Sequence, residues 1–121
     1  MLDPQKNNVI LRGVAAEFQV RSWLYEVAPL IGDCVPLLEG YAINPQGKDV
    51  SPQPVAWTKT YNKARVFFTT LGHPEDFKEP SMRKLAVNGI LWALGKRIPE
   101  GGAKADFPAP YEPPESGFPK Q

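Results

Sequence analysis

Two strand-like segments joined by a short polar link constrain the fold of this chain more than any other feature. Residues 55–60 (VAWTKT) and 65–70 (RVFFTT) are rich in β-branched and aromatic side chains, which pack well on a pleated surface. The link at residues 61–64 (YNKA) is short enough to join antiparallel neighbours, and Asn62 suits a left-handed turn conformation. The pattern therefore predicts a β-hairpin.

An amphipathic helix is predicted at residues 80–94. Pro80 suits the first helical turn, where a missing N–H is not needed, and Gly95 suits the position just after the helix. Residues recurring at three- and four-residue steps form the predicted buried stripe: Met82, Leu85, Ala86, Gly89, Ile90 and Ala93. A glycine inside a helix costs about 1 kcal/mol relative to alanine, so Gly89 indicates close packing on the sheet.

The remaining segments give weaker signals. Residues 18–25 alternate in a way that predicts a strand, residues 35–43 predict another, and residues 44–54 predict a loop. From Pro99 the composition becomes rich in proline, with six of the 14 prolines. We therefore expect a frayed segment at 1–8, a folded unit at 9–98 and an extended tail at 99–121. The tail is either pinned to the surface by its aromatic side chains (Phe107, Tyr111 and Phe118) or disordered.

Composition limits the classes of partner and compartment. The 121 residues suggest one domain, and 14 basic against 13 acidic residues give a net charge of +1, which does not point to nucleic acid or an anionic membrane. A single cysteine excludes an internal disulfide and favours a reducing compartment. We find no signal peptide, membrane span, phosphate loop or metal-ligand spacing. The expectation is a cytoplasmic protein without a cofactor, unless a missing N-terminal portion carried a signal.

Three segments, taken in their order along the chain, resemble a known family. Residues 54–58, 65–77 (RVFFTTLGHPEDF) and 85–95 (LAVNGILWALG) resemble the C-terminal half of ThuA-like (trehalose utilisation) domains. These domains belong to the class I glutamine amidotransferase-like superfamily, whose sheet is flavodoxin-like. The resemblance implies an α/β fold: a partial flavodoxin-like sheet with a β-hairpin, a C-terminal helix and an extended Pro-rich tail. It also implies a role in carbohydrate metabolism.

Family domains are roughly twice as long as this chain, so the resemblance implies that an N-terminal half is missing. Without it, apolar strand faces would be open, and we expect either self-association or pairing with that half. The residues expected either to be exposed or to contact a second copy are Trp23, Leu24, Leu37, Leu38 and Phe67.

The chain departs from the family pattern at four positions in three places. Cys34 lies in GDCVP rather than at the strand-to-helix elbow of amidotransferases, which indicates a small packed side chain. Ser22 and Trp23 stand where many relatives carry an acidic pair. Ala64 stands where relatives often have glycine after the turn, and a left-handed alanine would cost about 1 kcal/mol.

His73-Pro74-Glu75 is the chemical motif of the chain, and it resembles the His-x-Glu of amidotransferase triads. The resemblance implies that His73 and Glu75 form an acid/base dyad. A carboxylate two residues after an imidazole can accept its ring N–H and fix its tautomer. In the structural alternative, His73 bonds a backbone carbonyl, and Glu75 and Asp76 stabilise a helix N-terminus.

Three further residues are candidates for ligand binding. Trp57 and Tyr25 are either platforms for stacking a sugar or core aromatics, and Arg21 either binds an anionic sugar or is an exposed strand residue. Two functions remain open: an enzyme acting on trehalose, another sugar or a keto-sugar, and a non-catalytic binding module or inactive gene fragment.

Overall fold

An antiparallel three-stranded sheet and one α-helix form the framework in the computed structural model, which describes residues 1–2, 5–43 and 51–113. The strands, in spatial order, are β1 (Cys34–Gly40), β2 (Gln53–Tyr61) and β3 (Ala64–Thr69), and the helix is α1 (Pro80–Ala93). Short 3₁₀ helices lie at Val9–Leu11 and Pro74–Lys78. The predicted α/β class, with a hairpin and a C-terminal helix, is confirmed.

The β2–β3 hairpin closes through a two-residue turn. Asn62 has φ 46° and Lys63 has φ 66°, and two successive left-handed residues match the twist of the flanking strands. Ala64 begins β3. The left-handed alanine considered from the sequence therefore does not occur, because Lys63 takes that conformation.

β1 pairs with β2 through an irregular register, with shifts on either side of Leu38. This irregularity interrupts the strict alternation of a strand and lets two consecutive leucines, Leu37 and Leu38, both enter the core. The expectation that they are exposed is wrong. β1 also ends before the predicted boundary at residue 43, whereas most of the predicted 44–54 loop lies outside the described residues.

The predicted strand at residues 18–25 is wrong. The main chain there is irregular, and a side chain rather than a neighbouring strand binds two of its N–H groups. Arg21 and Ser22 donate to the carboxylate of Asp76, and the next segment donates from Val27 to the side-chain oxygen of Gln53 at 2.9 Å. Trp23, which lies in this segment and which we expected at the surface, is 80% exposed.

α1 occupies almost the predicted range, but its buried face is rotated. Met82, Leu85 and Gly89 are buried as predicted, whereas Ile90 and Ala93 are exposed and Asn88 is buried instead. α1 packs between β3 and the Val9–Leu11 turn. The predicted stripe did not include the contact with the Val9–Leu11 turn, where the polar residue Asn88 is buried.

The tail is ordered against α1 over its described part. Ala103 N–H donates to Asn88 Oδ1 at 2.9 Å, and Arg83 Nε donates to the carbonyl of Ala105 at 2.7 Å. The rings of Phe107 and Tyr111 stack with centroids 4.5 Å apart. The described part of the tail therefore contacts α1 in this structure, while Phe118 lies outside the described residues.

Candidate functional site

The segment after β3 places His73 at the start of the Pro74–Lys78 helix. His73 is the N-cap residue, and its Nδ1 accepts the main-chain N–H of Glu75 at 3.0 Å. Pro74 follows at the first helical position, where its missing N–H has no consequence. The loop conformation is thus set by a local sequence signal.

The buried carboxylate of Asp76 holds this loop in place through hydrogen bonds. Its side chain is buried, with 1% of its surface exposed. The carboxylate accepts main-chain N–H groups of Arg21 at 2.6 Å and of Gly72 and His73 at 3.1 Å each, and it also accepts from the N–H and hydroxyl of Ser22. Burial raises the pKa of Asp76, but the hydrogen bonds from Ser22, Arg21 and Gly72 outweigh it and leave this pKa below its usual value.

Ser22 extends the same network. Its Oγ donates to Asp76 and accepts N–H groups of Gly72 and His73 at 3.0 and 3.1 Å. Sequence reasoning missed both side chains as site residues. Asp76 had a local signal, since an acid three residues after an N-cap forms a capping box. Ser22 had none, because its partner lies 54 residues away.

Glu75 is held ionised at the surface of the loop. One carboxylate oxygen lies 2.7 Å from Lys78 Nζ. The hydrogen bond from Lys78 lowers the pKa of Glu75 below its usual value against a smaller effect of burial, and the charges of Lys78, Arg21 and His73 lower it further. Glu75 is therefore suited to accept a hydrogen bond as a carboxylate, and its lowered pKa makes it a weaker proton acceptor.

The hydrogen bond between His73 and Glu75 runs through the main chain. Nδ1 of His73 is the acceptor and the main-chain N–H of Glu75 is the donor, and the expected bond from the ring to the Glu75 carboxylate stays a prediction. Because Nδ1 uses its lone pair, the neutral imidazole carries its proton on Nε2. This N-cap hydrogen bond therefore fixes the imidazole tautomer of His73, a role that we had assigned to the carboxylate of Glu75.

A groove of about 1190 Å³ adjoins this network. Ser22 and Leu71 line one part of it, next to the His73 loop, and Trp23 and Tyr41 contribute exposed aromatic rings. Glu17, Gln19 and Glu39 add polar groups to a wall that is partly apolar. A roomy groove with a few polar groups is typical of a small-molecule site.

The structure brings only some of the predicted site residues together. His73, Glu75 and Arg21 meet at the loop, since the N–H of Arg21 binds Asp76 and its charge acts on Glu75. Trp57 stacks on Phe68 with ring centroids 4.7 Å apart. That pair lies on the sheet face opposite α1, and Tyr25, although 55% exposed, does not line the groove.

The described residues, 1–2, 5–43 and 51–113, include neither a cluster of metal-binding side chains nor a membrane-spanning helix. No three His, Cys, Asp or Glu side chains in that part of the chain are grouped so that they could bind a metal ion. Among the described helices, none has the length and apolarity needed to cross a membrane.

Comparison with known proteins identifies the family. Residues 2–93 match the family model of ThuA, described as trehalose utilisation. The chain belongs to the ThuA family. No curated protein and no solved structure matches the chain significantly.

The ThuA match contains the structures that build the candidate site. It spans the irregular segment with Ser22, the hairpin, the His73 loop and α1, and it ends at the last residue of that helix. The residues after Ala93, including the whole tail at 99–121, lie outside the matched region. The tail's contact with the His73 loop, a hydrogen bond of 2.9 Å from Tyr111 Oη to the carbonyl of Pro74, is thus an addition to the matched part.

Proposed function

We propose that this ThuA-family chain acts in carbohydrate metabolism by binding a sugar or keto-sugar in the groove beside the His73 loop. In this proposal, His73 and Glu75 are the acid/base pair. The observation that supports it most is the position of Ser22. This residue lines the groove, and its hydroxyl oxygen accepts the main-chain N–H of His73.

The groove surface suits a sugar. The exposed rings of Trp23 and Tyr41 offer flat apolar area to the C–H faces of a pyranose or furanose ring. The carboxylate of Glu39 offers a hydrogen-bond acceptor to sugar hydroxyls, while the hydroxyl of Ser22 is already used by Asp76, Gly72 and His73. Arg21, close enough to influence Glu75, would favour a sugar that carries an anionic group.

Hydrogen-bond geometry and the charge of Glu75 suggest a role for each member of the pair. Glu75 is ionised and is therefore the member that can accept a proton, but the hydrogen bond from Lys78 that lowers its pKa also makes it a weaker base. His73 is the hydrogen-bond donor, because its Nδ1 is occupied as an acceptor and its ring proton lies on Nε2. A carboxylate base with a neutral imidazole donor is a known arrangement for moving a proton next to a carbonyl group.

The experiment measures sugar binding and proton exchange on the same purified chain. Calorimetric titration with trehalose, hexoses and keto-sugars should show binding that Trp23→Ala weakens by about tenfold, or about 1.4 kcal/mol. Tyr61→Ala is the matched control, because Tyr61 is also an exposed aromatic, 64% exposed, but lies at the hairpin turn. Equal affinities for the two variants, or no binding by the wild type, would contradict the groove as the site.

Exchange of the sugar proton next to the carbonyl, followed by NMR in D₂O, tests the dyad. His73→Asn keeps an acceptor at the N-cap, and Glu75→Gln keeps the side-chain size, so both should leave the melting temperature nearly unchanged. Each should slow exchange by about 10²-fold, the usual scale of acid–base catalysis. If sugar binds but the wild type catalyses no exchange, the non-catalytic binding module is the better account.

A further inference from the structure

The outer edge of β3 offers main-chain groups that no described residue uses. Thr70 N–H donates to the carbonyl of Val55 at 3.1 Å, which sets the alternation along the hairpin. The N–H and C=O groups of Arg65, Phe67 and Thr69 therefore point away from β2. The opposite edge of the sheet differs, since β1 already receives the N–H of Leu2 at the carbonyl of Leu37.

One flank of α1 continues this open edge. Asn88 binds the carbonyl of Ile10 at 2.8 Å, and Gly89 lies against the ring of Phe67. At 100° per residue, Ile90 is about 200° around the helix from Asn88 and therefore faces away from the Val9–Leu11 turn. Ile90 and Leu94 are 58% and 64% exposed. Edge and flank thus form one surface.

We propose that this surface binds a second copy of the chain, with the two β3 strands paired antiparallel about a twofold axis at Phe67. This register joins Arg65 of one copy to Thr69 of the other through main-chain hydrogen bonds, and Phe67 to itself. Val66 of one copy then lies opposite Phe68 of the other. The result is a continuous six-stranded sheet.

The side chains on the open sheet face are complementary in this register. Val66 and Phe68 are 38% and 49% exposed in the single chain. A β-branched residue facing an aromatic one is a favourable cross-strand pair. No like charges face each other, because Arg65 lies opposite Thr69. A second copy is therefore a better occupant of this edge than a strand of arbitrary sequence.

The edge also lacks the usual protection against pairing. Exposed edges are commonly blocked by a charged side chain that extends into solvent. Here the one charged side chain of β3, that of Arg65, folds onto α1 instead. Its Nη1 donates to the carbonyl of Trp92 at 3.0 Å, and its guanidinium carbon lies 5.2 Å from the centre of the Trp92 ring.

Sedimentation velocity over a wide concentration range tests the proposal on the full chain. The wild type should form dimers, and Arg65→Pro should weaken dimerisation about tenfold or more, because proline removes an outward N–H without touching the β2–β3 ladder. Arg65→Ala is the matched control, since it loses the same side chain but keeps the N–H. A monomeric wild type, or equal dimerisation of the two variants, would overturn the proposal.

Disulfide trapping tests the register even if Arg65→Pro does not fold. In a Cys34→Ser background, Val66→Cys combined with Phe68→Cys places thiols across a non-hydrogen-bonded pair, which is close enough to bridge. Mild oxidation should give a covalent dimer. Val66→Cys alone should not, because its own twofold mate lies beyond disulfide reach. Equal cross-linking of both variants, or of neither, would overturn the register.

Discussion

At the scale of single residues, Asp76 connects two distant parts of the chain. Its carboxylate accepts hydrogen bonds from residues 21 and 22 on one side and from residues 72 and 73 on the other. Buried carboxylates remain charged only when such donors replace water. The position of His73 therefore depends on a neighbour that has no role of its own in the proposed proton transfer.

Asp76→Asn should reduce the free energy of unfolding by about 2 kcal/mol or more. The amide keeps one acceptor oxygen but turns an NH₂ group toward N–H donors, which leaves buried donors unsatisfied. Urea unfolding measures the effect, and Asp106→Asn, at an exposed acid, is the control. A loss below about 0.5 kcal/mol, comparable to the surface substitution, would contradict this account.

The same carboxylate predicts a pH dependence of stability. Its pKa is lowered in the folded chain, so its contribution is fully present above the unfolded value of about 3.9 and is lost as pH falls through the folded pKa. The free energy of unfolding should therefore decrease below about pH 4 in the wild type. In Asp76→Asn the decrease should be shallower, and parallel curves would assign acid sensitivity to other groups.

At the scale of elements, the contact between α1 and β3 depends on the absence of a side chain at Gly89. A Cβ built there would lie 2.3 Å from Cδ1 of Phe67. Gly89→Ala should therefore destabilise the chain by about 1–2 kcal/mol, because the clash exceeds the helix-propensity gain of about 1 kcal/mol. Thermal and urea unfolding measure the balance of these effects.

A second substitution separates steric conflict from other causes. Phe67→Leu removes the ring atoms that the new Cβ would meet, so Gly89→Ala should be less harmful in the Phe67→Leu background. Gly101→Ala is the control, because a Cβ at Gly101 meets nothing within 4 Å. Additive losses in the double variant would show that the ring does not limit position 89.

The elements differ in how far the sequence predicts them. The hairpin and α1 follow from local periodicity and from turn and cap residues, and their bounds differ little from the predicted ranges. The segment at 18–25 has strand-like alternation, but its N–H groups bind Asp76, a partner that no local pattern reveals. The candidate site also has one part that the sequence predicts and one part that it does not. The His73 cap is local, whereas the Ser22–Asp76 contact and the groove arise only when distant segments meet.

At the scale of the whole molecule, Asn88 joins three segments of the chain. Its Nδ2 donates to the carbonyls of Ile10 and Arg12 at 2.8 and 2.9 Å, and its Oδ1 accepts the N–H of Ala103. The N-terminal segment and the tail approach so closely here that a Cβ at Gly102 would lie 2.2 Å from the carbonyl oxygen of Arg12. The tail is thus part of the folded unit.

Asn88→Leu should reduce the free energy of unfolding by about 3 kcal/mol or more, because leucine fills a similar volume but leaves two carbonyls and one N–H buried without partners. The amide of Ala103 should also exchange with solvent much faster, since it loses its acceptor.

Lys84→Ala is the matched control on the same helix. Lys84 Nζ bonds the carbonyls of Gly101 and Ala103, but these contacts lie nearer the surface and should be worth less than about 1 kcal/mol. Equal losses in the two variants would mean that the tail is held by its surface contacts alone. A large loss without faster exchange at Ala103 would mean that Asn88 stabilises the junction of α1 with the N-terminal segment and does not anchor the tail.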